Sequence, residues 1–268
     1  MGEQQKFIDT VWNYYHDFGR ELPWRKTHDP YKIMVSEFML QQTQVSRVTE
    51  KYQSFLKAFA DVRHLAAAQP GDVIAEWSGL GYNRRALYLH RAAQAIAGQY
   101  DGQVPNSTEE LVKLPGLGVN TAAAIRVYAF NQPCVFIETN IRRVYIHHFF
   151  QDREGVADSE ILPLVEQTID PDSPREWYWA LMDYGSHLAK TLPNPNRRSK
   201  HYVRQSKFEG SVRQLRGEIL RQLQRRSLSP QQLRRAIKHE RIDELDSLVA
   251  QLEKEGFLVS ESGKLRLS

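Results

Sequence analysis

Cysteine is almost missing from this chain, and its scarcity excludes several kinds of site. Among the 268 residues, Cys134 is the single cysteine. One cysteine cannot build a disulfide framework, a four-cysteine zinc site or an iron–sulfur cluster held by cysteines. The nine histidines show no HxxxH spacing that would predict a zinc site either. We therefore expect no metal and no cofactor, and we interpret Cys134 as a buried apolar residue rather than a nucleophile.

Long apolar runs are missing as well. No segment reaches the roughly 18 apolar residues that a membrane-spanning helix needs. The first residues, MGEQQKFIDT, resemble neither a signal peptide nor a myristoylation site. The sequence therefore predicts a soluble, cytoplasmic protein with no membrane partner.

The net charge is small, but its distribution along the chain is uneven. Lysine and arginine number 36 against 32 acidic residues, which gives +4. Residues 1–189 sum to −5, whereas residues 190–268 sum to +9 and segment 197–238 alone carries +11. Positive charge concentrated in one part of a chain predicts a polyanionic partner, with nucleic acid ranked before an anionic membrane.

Apolar residues recur at helical spacing over most of the chain, which predicts an all-α fold. A first helix is expected from Phe7 to Phe18, and Asp29-Pro30 is a typical start for the second. Further helices are expected at Val45–Phe59, Pro70–Trp77, Arg84–Ala97, Thr108–Leu114, Asn120–Phe130, Asn140–Phe150, Asp158–Thr168 and Arg175–Lys190.

The basic C-terminal part predicts a linker followed by a small module. Residues 191–210 contain several prolines and cations, which is typical of a linker or a DNA-contacting loop. Residues 211–268 carry three apolar helical stripes and then a hairpin turning at Ser262-Gly263, the order of a winged-helix-like module. We expect its third helix, about 241–255, to pack on the body or to meet a protein partner, because phosphates would repel its acidic residues. The acidic residues that we expect this helix to expose are Asp243, Glu244, Asp246, Glu253 and Glu255.

The segment LPGLGVNTAAAI, residues 114–125, joins two expected helices through a glycine-rich turn. Gly116 and Gly118 permit backbone angles and close approaches that a side chain would block. The N–H groups at the start of the second helix can then bind a phosphate. The pattern favours a helix-hairpin-helix element that binds one DNA strand without reading sequence; the alternative is an ordinary glycine-rich connection.

Glu37 lies inside the apolar stretch IMVSEFML. Burial among apolar groups disfavours the charged carboxylate and raises its pKa. Such a group can carry a proton near neutral pH and deliver it to a leaving group. The alternative is an ion pair between Glu37 and an arginine elsewhere in the sequence.

A second carboxylate, Glu138, stands in the segment FIETNIRRV, residues 136–144. It precedes an expected helix start at Thr139 or Asn140, with Arg142 and Arg143 in the first turns. Paired carboxylates cleave glycosidic bonds, one as the acid and one as the nucleophile or electrostatic partner of a cationic sugar. The alternative is a carboxylate that caps the helix, with both arginines in solvent.

Five segments occur in the order seen in the helix-hairpin-helix (HhH-GPD) DNA glycosylases, and the chain resembles their adenine DNA glycosylase (MutY) branch most. They are LPWRKTHDPYKIMVSEFMLQQTQV, WSGLGYNRRALYLHRAA, LPGLGVNTAAAI, ETNIRRV and ALMDYGSHL. The resemblance extends over roughly residues 12–190. It implies a two-domain fold, with 1–22 and 134–190 in one helical domain and 23–133 in a six-helix barrel. It also implies a monomer whose partner is double-stranded DNA containing a lesion or mismatch, at the nucleoid if the source is bacterial.

The resemblance also assigns residues. Glu37 matches the catalytic glutamate that protonates the flipped base, Glu138 stands where the family has an aspartate, and Asn140 matches the neighbouring asparagine. The base pocket would contain Trp24, Arg25, Asn120 and Trp179. Contacts with DNA would come from Gln41, Gln42, Tyr82, Gly116, Gly118, Thr121, Arg142, Arg143, Arg197, Arg198 and Lys200. Because bifunctional relatives carry a Schiff-base lysine where this chain has Asn120, hydrolysis by water without strong lyase activity is implied.

Three positions depart from the family pattern. HLAKTLPNPNRRSKHY replaces the segment in which relatives bind an iron–sulfur cluster through four cysteines. Glu138 is one methylene longer than aspartate, and Trp179 stands where adenine-specific relatives have an amide or carboxylate.

We expect a monofunctional glycosylase of base excision repair, best fitted to adenine opposite 8-oxoguanine or guanine. A glycosylase for thymine or uracil opposite guanine, or for another damaged base, and a non-catalytic DNA-binding protein are the alternatives.

Overall fold

The computed structural model describes residues 2–204 and 206–268, and most of them are helical. The helices are α1 (Glu3–Phe18), α2 (Pro30–Leu40), α3 (Val45–Ala58), α4 (Val62–Ala67), α5 (Pro70–Trp77), α6 (Arg84–Gln99), α7 (Thr108–Leu111), α8 (Val119–Phe130), α9 (Thr139–Phe149), α10 (Asp158–Thr168), α11 (Pro174–Thr191), α12 (Val212–Arg225), α13 (Pro230–Ala236) and α14 (Leu245–Glu255). Strands β1 (Leu258–Glu261) and β2 (Lys264–Leu267) pair antiparallel. The all-α class is confirmed. Within the described ranges, no helix is both long and apolar enough to cross a membrane.

Apart from α1, which begins at Glu3 rather than at the predicted Phe7, the helix boundaries follow local sequence signals with two exceptions. The first exception is α4, which the apolar pattern did not reveal because it has only six residues. Asp61 caps it by accepting a hydrogen bond from the His64 N–H at 2.9 Å. The second is α7, which ends at Leu111 rather than at the predicted Leu114. Pro115 follows, and a proline disfavours helical backbone at the residue before it.

The first of two compact units contains Met1–Glu37, Pro105–Lys113 and Leu117–Arg204. Helix α11 packs against α1 and α9 in its core. Gly185 on α11 permits the close approach to α9, since a Cβ there would lie 2.5 Å from the Asn140 carbonyl oxygen. This contact places the first turn of α9, and Glu138 before it, beside α11.

Residues 194–198, predicted as part of a linker, are packed on α9 of this unit. Pro195–Arg198 forms one 3-10 turn, and the Asn196 side chain donates a hydrogen bond to the Thr139 carbonyl at 2.9 Å. The Arg198 guanidinium donates to the Phe150 carbonyl at 2.9 Å and so satisfies the C-terminal end of α9. Residues 194–198 of the predicted linker are therefore an ordered part of this unit.

The second unit contains Phe38–Val104, Leu114–Gly116 and Gln205–Ser268. It differs from the predicted division into a barrel at 23–133 and a separate module at 211–268. Ile74 of α5 and Leu87 of α6 lie in the same apolar core as the leucines of α12 and α14. The Gly71 N–H donates to the Ser268 carbonyl at 2.5 Å. Helices α5 and α6 and the C-terminal helices thus share one core.

The C-terminal hairpin turns where the sequence predicts it. Ser262 and Gly263 have φ values of 50° and 73°, so both adopt the left-handed conformation of a type I′ turn. Leu258 pairs with Leu267 at the other end of the hairpin. The predicted order of three helices followed by a hairpin is therefore present, whereas the winged-helix-like assignment stays a prediction.

The carboxylate of Glu255, expected to be exposed at the end of α14, is instead largely buried. Its side chain is 15% exposed and accepts hydrogen bonds from Arg84 at 2.5 Å and from Arg216 at 2.6 Å. The hydrogen bond from Arg84, with that from Arg216 and both positive charges, outweighs burial and lowers the pKa of Glu255 to about 2. Glu255 therefore joins α14 to the start of α6 and to α12.

Candidate active site

Glu37 lies in α2 with its side chain turned into the protein. It is 8% exposed, and its neighbours Met34 and Phe38 are fully buried. Among the described residues no lysine or arginine forms an ion pair with it, so the alternative of an arginine partner is wrong. Burial raises the pKa of Glu37 well above its ordinary value of 4.5, and the negative charge of Glu138 raises it further. Glu37 therefore retains a proton more readily than an ordinary glutamate.

Glu138 is the N-cap residue of α9. Its backbone is extended, with φ −116° and ψ 173°, and its side chain makes no capping hydrogen bond. The alternative of a capping carboxylate is therefore wrong. Burial raises the pKa of Glu138 above its ordinary value, and the charge of Arg142 offsets only part of that rise. In the described part of the chain, no cation lowers the pKa of Glu37 in this way. The pKa of Glu37 is therefore raised further than that of Glu138, so Glu37 is suited to hold a proton and Glu138 to carry a charge.

Two side chains fix the backbone that leads to Glu138. The Tyr178 hydroxyl donates a hydrogen bond to the Cys134 carbonyl at 2.8 Å. The Asn120 amide donates to the Ile137 carbonyl at 3.0 Å. Asn120, predicted for the base pocket, thus positions the residue before Glu138.

Tyr128 was missed at the sequence level. It lies on α8 and is 7% exposed. Burial raises the pKa of its hydroxyl most, and the charges of Glu37 and Glu138 raise it further. Its ring stacks on Trp179, with the centroids 6.3 Å apart and the planes 12° apart. The sequence feature that points to Tyr128 is its spacing of eight residues from Asn120, because residues eight apart lie on the same side of a helix.

Arg25 lies between Trp179 and a buried carboxylate. Its guanidinium carbon is 5.3 Å from the Trp179 ring centroid. Its two terminal nitrogens donate to Asp183 at 2.8 and 2.7 Å, and Asp183 also accepts from Arg20 at 2.7 Å. Trp24 is buried in the same 3-10 turn, Pro23–Arg25. The structure thus brings two of the predicted pocket residues, Arg25 and Trp179, into contact.

Asp183 keeps its charge in this setting. Burial by itself would raise the pKa of Asp183, but the hydrogen bonds and positive charges of Arg25 and Arg20 outweigh it, so the pKa is lowered. The side chain of Asp183 is 1% exposed and that of Arg25 is 7% exposed. Both charges are therefore held inside the protein by their partners.

Asn140 and Arg143 bind each other rather than solvent. The Asn140 side-chain oxygen accepts from Arg143 at 2.6 Å, and Arg143 also donates to the Gly185 carbonyl at 2.8 Å. Arg143 is 8% exposed, so the prediction that it contacts DNA is corrected. Its role is to orient Asn140 in the first turn of α9.

Two other side chains predicted to contact DNA, those of Arg142 and Arg198, bind protein groups instead. Arg142 binds both oxygens of Asp158, each at 2.7 Å. Arg198 donates to carbonyls at the end of α9, as described above, which corrects its assignment as a phosphate contact. Arg197 and Lys200 are exposed and stay predicted DNA contacts.

The glycine-rich turn before α8 is exposed. Gly116 has φ 80°, and a Cβ there would lie 2.6 Å from the Tyr88 Cβ, so glycine is required. Gly118 precedes α8 without a side-chain cap among the described residues, and Val119 is 66% exposed. The first N–H groups of α8 therefore face solvent, as phosphate binding needs. Thr121 lies half-buried in this first turn.

In the second unit, Arg85 joins two loops that carry predicted DNA contacts. Gln42 and Tyr82 both have left-handed backbones, with φ 53° and 47°. Arg85 donates to the carbonyls of Gln41 at 2.6 Å and Gly81 at 3.0 Å. Burial lowers the pKa of Arg85 to about 10 despite the opposing effect of Tyr82. The loops are thereby fixed, while Tyr82 remains 40% exposed.

Comparison with known sequences gives consistent matches. Residues 35–163 match the HhH-GPD superfamily of base excision DNA repair proteins. Adenine DNA glycosylase of Mycolicibacterium smegmatis is 33% identical over 225 residues, 78% of this chain and 77% of that protein. Adenine DNA glycosylase of Buchnera aphidicola subsp. Baizongia pistaciae is 36% identical over 196 residues, 71% of this chain and 55% of that protein. The chain thus spans about half the length of the Buchnera relative.

Solved structures show the same fold. A thermostable thymine-DNA glycosylase superposes with a TM-score of 0.63 at 23% identity, over 74% of this chain and 90% of that chain. Endonuclease III in a non-covalent complex with DNA gives a TM-score of 0.60 at 17% identity, over 75% of this chain and 96% of that chain.

Proposed function

Because the chain belongs to the HhH-GPD superfamily of base excision DNA repair proteins, we propose that it is a monofunctional DNA glycosylase. It binds double-stranded DNA as a monomer, extrudes a mismatched or damaged base and releases that base by hydrolysis. The observation that carries the proposal is the carboxyl pair of Glu37 and Glu138. Burial, and then the charge of Glu138, raise the pKa of Glu37 well above its ordinary value, whereas the smaller rise at Glu138 is partly offset by Arg142.

In the proposed reaction, Glu37 is the general acid. Its proton passes to the departing base as the glycosidic bond breaks, and the bonding electrons leave with the base. Protonation removes the negative charge that would otherwise develop on the leaving group. A carboxyl with a raised pKa suits this step because it keeps its proton at a higher pH than an ordinary glutamate does.

Glu138 stabilises the sugar. Loss of the base leaves an oxocarbenium-like ring, which an adjacent carboxylate favours. Arg142 offsets part of the rise that burial causes in the pKa of Glu138, which favours ionisation of Glu138 before Glu37. Water then attacks the sugar carbon, its proton passes to the Glu37 carboxylate and regenerates the acid, and an abasic site is left. Asn140, oriented by Arg143, positions the sugar or the water.

The stacked rings of Tyr128 and Trp179, which are 7% and 9% exposed, form the aromatic side of the proposed base pocket. Adenine opposite 8-oxoguanine or guanine is the first candidate, supported by the names of the relatives. Thymine or uracil opposite guanine is the second, favoured by Trp179. An indole ring stacks on a base but supplies one donor and no acceptor, so it cannot form the paired hydrogen bonds that would select adenine.

The segment after α11 does not fit the iron–sulfur cluster of the family, because Cys134 is the single cysteine and lies before α9. The 3-10 turn Pro195–Arg198 and its bonds to α9 supply order to this segment instead. We therefore include no cofactor in the proposed mechanism.

A panel of duplexes tests the proposed function. The duplexes carry A·8-oxoG, A·G, T·G, U·G, hypoxanthine or an alkylated base, and strand cleavage after alkali reports excision. We expect strong cleavage of one mismatch class, with A·8-oxoG first and T·G or U·G second. Release of no base from any duplex would leave the non-catalytic binder as the better explanation.

The pH profile of single-turnover excision is expected to be bell-shaped. Activity falls on the alkaline side as pH rises through the raised pKa of Glu37, and on the acid side as Glu138 gains a proton. Arg142→Gln removes the cation that lowers the pKa of Glu138, so the acid limb should move to higher pH. Arg153→Gln, which removes an exposed cation paired with Glu160, is the control and should leave that limb in place. An unmoved acid limb in Arg142→Gln would show that Glu138 is not the titrating group.

A further inference from the structure

The C-terminal part of the second unit lies directly beside Tyr82. The Arg213 guanidinium, at the start of α12, donates a hydrogen bond to the Tyr82 hydroxyl at 3.3 Å. Arg213 also donates to the Ser206 carbonyl at 2.8 Å and the Lys207 carbonyl at 3.4 Å. One side chain thus closes the loop 206–213 and joins it to the loop of Tyr82.

This placement is fixed by the core that the barrel and the C-terminal helices share. Glu255 binds both Arg84, two residues after Tyr82, and Arg216, three residues after Arg213. Ile74 and Leu87 pack in the same core as α12. The loop 206–213 is therefore part of the same folded body as the Tyr82 loop, rather than a tethered segment.

Positive charge on this loop has no carboxylate partner in the described chain. Arg216, Arg221 and Arg234 of the same helices each pair with a glutamate or aspartate. By contrast, Lys207 is exposed, and Arg213 is bonded to neutral oxygens alone among the described residues. Glu209 lies on the same loop but forms no ion pair with Lys207 or Arg213 among the described residues. Two cations without a paired carboxylate, next to an exposed tyrosine, match the chemistry of a phosphate backbone.

We propose that the loop 206–213 is a second DNA-contacting surface, in which Lys207 and Arg213 bind phosphates of the duplex that the Tyr82 loop contacts. The inference rests on the proposed function, because it requires the chain to bind DNA. Phe208, 59% exposed on the same loop, adds an apolar surface next to these cations. The C-terminal helices thereby extend the DNA surface of the barrel and set the position of Tyr82 on the duplex.

The test measures the affinity for a fluorescein-labelled undamaged duplex between about 50 and 200 mM salt. Lys207→Ala and Arg213→Ala should each reduce the slope of log K against log salt by about 1. At 0.1 M salt each should weaken binding roughly eight-fold, which follows from the loss of one phosphate contact. Arg221→Ala removes an arginine of α12 that is paired with Glu218, and it should leave the slope unchanged.

The outcomes separate this inference from the proposed function. Wild type that binds DNA and excises a base would support the proposed function. If Lys207→Ala and Arg213→Ala then keep the wild-type slope of log K against log salt, the loop 206–213 is not a DNA contact, and a protein partner becomes the alternative. An equal loss in Arg221→Ala would also overturn it, because net charge alone would then explain the effect. Failure of wild type to bind any duplex would overturn both proposals. Lys207 is an exposed loop residue, so its variant reports binding even if Arg213→Ala unfolds.

Discussion

Replacing Glu37 by glutamine is expected to abolish base excision and leave DNA binding intact. Glutamine keeps the size and polarity of the side chain but has no proton to deliver, so the single-turnover rate should fall about 10²- to 10⁴-fold. Binding should persist because Glu37 is 8% exposed and buried among apolar side chains of α2. Rates on the preferred duplex, with affinity for the same duplex, measure both effects.

The same substitution should also stabilise the protein at neutral pH. A carboxyl whose pKa is higher in the folded than in the unfolded chain binds more protons when folded, so the free energy of unfolding falls as pH rises through that interval. Glu37 has such a raised pKa. Glutamine carries no charge at any pH and removes this loss, so the melting temperature of Glu37→Gln should exceed that of wild type. Each 1 kcal/mol recovered corresponds to about 2–4 °C.

Glu166→Gln is the matched control, since Glu166 is an exposed glutamate of α10 in the same unit. It should change neither the excision rate nor the melting temperature. Wild-type excision by Glu37→Gln would remove Glu37 from the mechanism. A melting temperature that falls below wild type would show that the buried carboxyl stabilises the fold rather than weakening it.

Replacing Asp183 by asparagine is expected to cause the largest loss of stability. Asp183 accepts hydrogen bonds from Arg25 at 2.7 and 2.8 Å and from Arg20 at 2.7 Å, inside the protein. Asparagine leaves the buried Arg25 charge without its counter-charge, which costs about 3–5 kcal/mol. In a chain of this size the melting temperature should fall by roughly 6–20 °C.

The pH dependence of that loss has a definite sign. Because the pKa of Asp183 is lowered in the folded state, its contribution is present above the unfolded value and is lost as pH falls through the folded value. The difference between wild type and Asp183→Asn should therefore shrink in acid. Glu261→Gln, which breaks the exposed pair of Glu261 with Arg266, is the control and should change stability by less than about 1 kcal/mol. Equal losses in the two variants would contradict a special role for burial.

Local sequence signals predict much of the fold near the site. The start of α2 follows from Asp29-Pro30, and the burial of Glu37 follows from apolar residues on all sides of that helix. The turn at Ser262-Gly263 follows from the need for two left-handed residues. These features depend on neighbours within a few positions along the chain.

The direction in which an arginine points could not be predicted in the same way. Arg143 and Arg198 were expected to contact phosphates, yet both donate to carbonyls at or near α9 and α11. Nothing in a short pattern distinguishes an arginine that faces DNA from one that satisfies a helix end. The partners of Glu255 and the proximity of Tyr128 to the two carboxyl groups likewise depend on residues far away in sequence.

The shared core of the second unit has a consequence for how the chain is made. Ile74 and Leu87 are synthesised long before the leucines of α12 and α14 and Phe257, with which they pack. Helices α5 and α6 therefore leave the ribosome with apolar surface that stays uncovered until the last helices follow. Contacts of such long sequence separation slow folding. We expect nascent chains halted before α12 to be captured by chaperones, with the core of the second unit maturing only after the C-terminal helices emerge.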